Sequence, residues 1–83
     1  MTFKSKIEAI GIRCKFWFVI KNMSDDDIIE FLKEDIFHCD DLTISFDEAK
    51  KKCEQTLGKS LDGFISKEDQ EELYNILQEH HSA

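Results

Sequence analysis

The sequence predicts an all-α fold, a small helical bundle of three capped helices with an N-terminal segment as a fourth. Three observations carry that expectation. The pattern Ser-x-acid-acid recurs every 21 residues, as Ser24-Asp25-Asp26-Asp27, Ser45-Phe46-Asp47-Glu48 and Ser66-Lys67-Glu68-Asp69. Each copy sets a hydroxyl that can accept from free helical N–H groups ahead of acids that suit the positive end of the helix dipole. Proline is absent and glycine occurs three times in 83 residues, so little interrupts a helical backbone. Apolar residues then follow each serine at intervals of three and four.

The first capped helix is expected from about Asp25 to Phe37, burying Ile28, Ile29, Leu32 and Ile36 and turning Glu30, Lys33 and Glu34 to water. The second follows Ser45, with Phe46, Ala49, Cys53 and Leu57 on one face and Gly58 placed to end it in a left-handed cap. The third follows Ser66, with Leu73, Ile76 and Leu77 inward, Tyr74 at the margin, and His80 and His81 near its C-terminus. The linkers resemble each other, Asp41-Leu42-Thr43-Ile44-Ser45 against Asp62-Gly63-Phe64-Ile65-Ser66. The simpler explanation is that each needs one apolar anchor before its N-cap, rather than descent from a duplicated unit.

Residues 3–22 carry two periods at once. Phe3, Ile7, Ile10, Cys14 and Trp17 follow helical spacing, while Ile10, Ile12, Cys14, Phe16, Phe18 and Ile20 alternate as a strand does. A strand needs a partner, and only the short pieces Thr43–Ser45 and Phe64–Ser66 are available. A helix is therefore expected, the alternative being an α+β fold with residues 10–20 as a strand.

At this length residues 1–83 form one small domain. The net charge of −7 is unevenly spread. Residues 1–23 carry Lys4, Lys6, Arg13, Lys15 and Lys21 against Glu8, whereas the remainder balances at −11. So acidic a surface repels nucleic acid and favours a basic protein partner. Cys14, Cys39 and Cys53 are an odd number without a Cys-x-x-Cys pair, which suits reduced thiols in a cytoplasmic protein. No signal peptide is expected, because Arg13 and Lys15 interrupt the apolar stretch, and the uncharged run Phe16–Ile20 is too short to span a bilayer.

Motifs for chemistry are sparse. His38, Cys39, Cys53, His80 and His81 match no zinc spacing, and no nucleophile–base pair is announced, so neither an enzyme nor a cofactor is expected. Asp62-Gly63-Phe64-Ile65-Ser66 followed by Asp69 resembles the second half of an EF-hand calcium loop, with Gly63 at the sharp turn and Ile65 packed inward. That resemblance implies a degenerate divalent-ion site using Asp62, Ser66 and Asp69, although Gly58 and Ser60 stand where carboxylates belong. Asp41-Leu42, then Ala49-Lys50-Lys51 and Cys53-Glu54-Gln55-Thr56-Leu57-Gly58-Lys59-Ser60-Leu61, resemble over roughly residues 27–61 the helical domain that ends DEK-type chromatin proteins, which implies DNA binding. The acidic balance of residues 24–83 opposes such a role. Arg13, Lys15 and Lys21 interleaved with Phe16, Trp17 and Phe18 form the alternative nucleic-acid surface.

The leading expectation is a small acidic protein-interaction module, an adaptor or a neutraliser of a basic or nucleic-acid-binding partner of the immunity or anti-defence kind. Its partner-binding residues are expected to be Asp25, Asp26, Asp27, Asp40 and Asp41, with Trp17 as the apolar anchor. If Trp17 and Phe18 prove exposed, pairing of two copies is expected.

Overall fold

The computed structural model describes residues 2–63 and 65–82; Phe64, the centre of the EF-hand-like stretch, lies outside them. The fold is all-α. Its helices are α1 (Phe3–Cys14), α2 (Trp17–Ile20), α3 (Asp25–Phe31), α4 (Phe46–Leu57) and α5 (Lys67–Ser82), with a π-helical turn at Leu32–Ile36 and a 3₁₀ turn at Leu61–Gly63. No strand occurs among the described residues.

The three serines act as the sequence predicts. Ser24 Oγ accepts from the Asp27 N–H, Ser45 Oγ from Glu48 and Ser66 Oγ from Asp69, each at 3.2 Å. Each satisfies one of the four helical donors that have no partner within the helix. Gly58 closes α4 at φ 71°, its N–H donating to the Glu54 carbonyl at 2.8 Å.

The strand alternative for residues 10–20 is overturned. These residues instead form the end of α1, a reversal at Lys15 and the single turn of α2. Lys15 takes φ 64°, and the Phe16 N–H donates back to the Gly11 carbonyl at 2.9 Å, a left-handed closure of the Schellman type. Phe16 then turns inward, and Gly11 lets α2 lie against α1. A Cβ on Gly11 would stand 3.2 Å from Phe16 Cε1 and 3.3 Å from the Trp17 backbone. Nor is linker backbone free to pair with a strand: Tyr74 Oη donates to the Ile44 carbonyl at 2.9 Å, and Gln78 Nε2 donates to the carbonyls of Leu42 and Ile44.

A second left-handed closure ends the α3 segment. The π turn carries Phe37 N–H to the Leu32 carbonyl at 2.8 Å, His38 takes φ 48°, and Cys39 N–H returns to the Lys33 carbonyl at 2.9 Å. The wider turn lets Leu32, Ile36 and Phe37 all reach the core.

The core joins Ile7, Ile10, Phe16 and Ile20 to Ile28 and Leu32, and both groups to Leu73 and Leu77 of α5. Tyr74 is not marginal but fully buried, edge-on to Phe37 at a centroid distance of 5.4 Å, with its hydroxyl satisfied by Ile44. His80 is tied down as well, its ring 4.2 Å from that of Phe3.

One buried polar side chain organises the α4–α5 junction. Gln70, 0 % exposed, donates from Nε2 to Asp62 Oδ1 at 2.7 Å and to the Ile65 carbonyl at 2.8 Å. Its Oε1 accepts from Lys50 Nζ at 3.2 Å. Lys50 in turn bridges to Asp62 at 2.8 Å.

Candidate functional site

The sequence places three carboxylates in the first turn of α3, and the cap formed by Ser24 fixes where that turn begins. Helical spacing then stacks Asp26, Glu30 and Glu34 at intervals of four along one exposed face. The reversal at His38 brings Asp40 back to the same face. The result is a groove of about 250 Å³ lined by Asp26, Ile29, Glu30, Lys33, Glu34 and Asp40. A neighbouring groove of about 280 Å³ shares Glu30 and Glu34 and adds Asp27 and Asp35.

Residues 24–41 thus hold eight exposed carboxylates against the single cation Lys33. Among the described residues the ion pairs are Arg13–Asp69, Arg13–Glu72, Lys50–Glu54 and Lys50–Asp62, and none involves these eight. Asp41 differs from the other seven. Its Oδ1 accepts from the hydroxyl and the N–H of Thr43, bonds that hold its carboxyl below the usual carboxylate range. Asp41 is engaged in its own turn, whereas Asp25, Asp26, Asp27 and Asp40 face solvent. Glu30, Glu34 and Asp35 belong to the same face and are absent from the residues expected from sequence, although the four-residue spacing from Asp26 could have found two of them.

Trp17 lines neither groove. Its indole Nε1 donates to Glu8 Oε2 at 3.1 Å, and Lys21 Nζ stands 5.4 Å from the ring centroid. The basic residues of the N-terminal segment are not assembled into one groove. Arg13 donates to Asp69 at 2.8 Å and to Glu72 at 3.1 Å, Lys21 lies over Trp17, and Lys15 caps α1. Lys4 Nζ is held by the carbonyls of Lys21 and Met23 at 3.0 and 2.9 Å.

The EF-hand-like residues are directed to different neighbours. Asp62 accepts from Lys50 and Gln70, which hold its carboxyl low, and Asp69 is held low chiefly by its bond from Arg13 on α1. Ser66 Oγ is occupied as the cap of α5. Among the described residues no group of three or more His, Cys, Asp or Glu side chains could hold a metal ion.

The three cysteines are free thiols. Burial, with help from the neighbouring Asp69 carboxylate, pushes Cys14 up to about 11, and burial pushes Cys53 up as well. Both remain protonated at neutral pH, which lowers their nucleophilicity. Cys53 Sγ donates to the Ile36 carbonyl at 3.3 Å, so it acts as part of the core. Among the described residues no helix is long and apolar enough to cross a membrane.

No protein-family model matches the chain, nor does any curated protein or solved structure, so the EF-hand and DEK-type resemblances carry no family assignment.

Proposed function

We propose that this chain is a small acidic protein-interaction module, an adaptor or neutraliser that works by binding a partner with a basic surface. The observation that supports this reading is the α3 face, where seven exposed carboxylates stand without an ion-pair partner among the described residues. Crowded like charges repel one another, and first-turn acids gain only a few tenths to about 1 kcal/mol each from the helix dipole. A cationic surface relieves that repulsion on docking, and the field steers the encounter.

The groove lined by Asp26, Ile29, Glu30, Lys33, Glu34 and Asp40 offers a partner's lysines and arginines four carboxylates beside one apolar side chain. Trp17 lies outside both grooves, so an anchoring role for it would extend the contact beyond them.

The test is capture from source-cell lysate at low and high salt, followed by stopped-flow association with the recovered partner. A basic protein is expected, whose association rate falls with salt. Reversing Asp25, Asp26 and Asp27 to lysine is expected to slow association about tenfold or more and to flatten the salt dependence. An association rate unchanged by that reversal refutes the reading.

A further inference from the structure

The first turns of α3, α4 and α5 carry carboxylates, as the positive end of a helix dipole favours, but the first turn of α1 holds none and carries Lys4 instead. The ammonium of Lys4 is held away from its own helix, at the turn between α2 and α3. Its Nζ donates to the Lys21 carbonyl at 3.0 Å and to the Met23 carbonyl at 2.9 Å, across 17 and 19 residues of sequence. Both carbonyls lie past the end of α2, where acceptors have no helical donor. Among the described residues no backbone N–H of a turn or cap donates to either of them.

These bonds end where the acidic face begins. Met23 lines the groove that Asp27, Glu30, Phe31, Glu34 and Asp35 complete. Ser24 follows, its Oγ accepting from the Asp27 N–H and its carbonyl from the Ile28 N–H. Ile20 and Ile28 sit fully in the core, yet no side chain of residues 21–27 between them is buried. Hydrogen bonds rather than burial therefore hold this stretch. Most are local, such as the Met23 N–H to the Ile20 carbonyl, whereas the two from Lys4 arrive from another helix.

We infer that Lys4 is a positioning residue for the α3 face: it clamps residues 21–23 against the start of α1 and so fixes where Met23 and Asp27 stand in the groove. The inference rests on that face being the docking surface. Charge and position predict opposite outcomes when Lys4 is removed. Loss of a cation close to an acidic face draws a cationic ligand more strongly. Loss of pre-organisation leaves the carboxylates to be ordered on docking, at a cost for each side chain immobilised, and weakens binding.

The test compares the full chain with Lys4→Met, which removes the donors, and Lys4→Arg, which keeps charge and donors. Amide hydrogen exchange at Met23 and Asp27 is expected to quicken about tenfold in Lys4→Met, with Leu77 of α5 unchanged as the control for global stability. Lys4→Arg is expected to restore the protection. Fluorescence anisotropy with a labelled octa-arginine peptide as probe is expected to show Lys4→Met binding several-fold more weakly than the parent, although its net charge is more negative by one.

Unchanged exchange at Met23 and Asp27, or a rise shared equally by Leu77, overturns the inference. So does a Lys4→Met variant that binds the peptide as tightly as the parent or more tightly. A parent chain that ignores the peptide, while Lys4→Met still quickens exchange at the turn, overturns the docking surface and leaves the clamp standing, so the two failures are told apart.

Discussion

Gln70 offers the sharpest test of how this fold is held, because its amide has only one chemically sensible orientation. Both groups facing Nε2 are acceptors, the Asp62 carboxylate and the Ile65 carbonyl, while Oε1 faces the Lys50 ammonium. Gln70→Leu keeps the volume and removes all three bonds. Lys50 is mostly buried, but Asp62 is half exposed and the pair remains bonded to itself, so its share of the loss is small. The Ile65 carbonyl loses the side-chain donor that serves it inside the protein, at about 1–3 kcal/mol for an unsatisfied buried group. Leucine recovers about 1 kcal/mol through apolar burial. The net loss expected is therefore about 1–2 kcal/mol.

Urea unfolding followed by circular dichroism measures it, with an unchanged m-value as the check that only stability has moved. Gln70→Glu is the companion variant. At neutral pH it sets a carboxylate against two acceptors and should be the less stable of the two, yet it should regain stability as falling pH lets its carboxyl donate. A loss below about 0.5 kcal/mol for Gln70→Leu, or a Glu variant as stable as the parent at neutral pH, would refute the argument.

Three sets of measurements extend these arguments. Ser24→Ala, Ser45→Ala and Ser66→Ala should each cost about 1 kcal/mol in urea unfolding, and a loss confined to one of them would break the claim that the three caps are equivalent. The Asp69 carboxyl is held below its ordinary value of 3.8 by Arg13, so its contribution is present above that pH and lost as pH falls through the lower folded value. Arg13→Met should therefore flatten the acid limb of a stability–pH profile, and an unaltered limb would show that the pair does not matter. The surface prediction remains the slowed partner association on reversing Asp25–Asp27.

The starts of α3, α4 and α5 were legible from local chemistry alone. A cap is a contact between a hydroxyl and an N–H three residues away, so Ser24, Ser45 and Ser66 carry their own instructions. Gly58 is the same kind of signal at the other end of a helix, since glycine reaches a left-handed φ without strain. The acidic first turn of α3 was equally visible, as were the carboxylates Asp25, Asp26, Asp27 and Asp40.

Residues 3–22 were not decidable in the same way, because their apolar residues satisfy helical and strand periods together. The choice falls to packing: Phe16 and Ile20 reach the core only if the chain reverses at Lys15, and a lysine in a left-handed conformation announces nothing in sequence. His38 hides the second reversal for the same reason, and with it the return of Asp40 to the α3 groove. Nor could sequence tell which charges stay free. Arg13 and Asp69 stand 56 residues apart and meet only because α5 packs on α1, while the acids of α3 find no such neighbour among the described residues. Local hydrogen-bond chemistry therefore determined where α3, α4 and α5 begin. The tertiary packing alone decided which apolar side chains were left outside and which carboxylates have no ion-pair partner among the described residues, because burial and ion pairing are properties of contacts between segments distant in the chain.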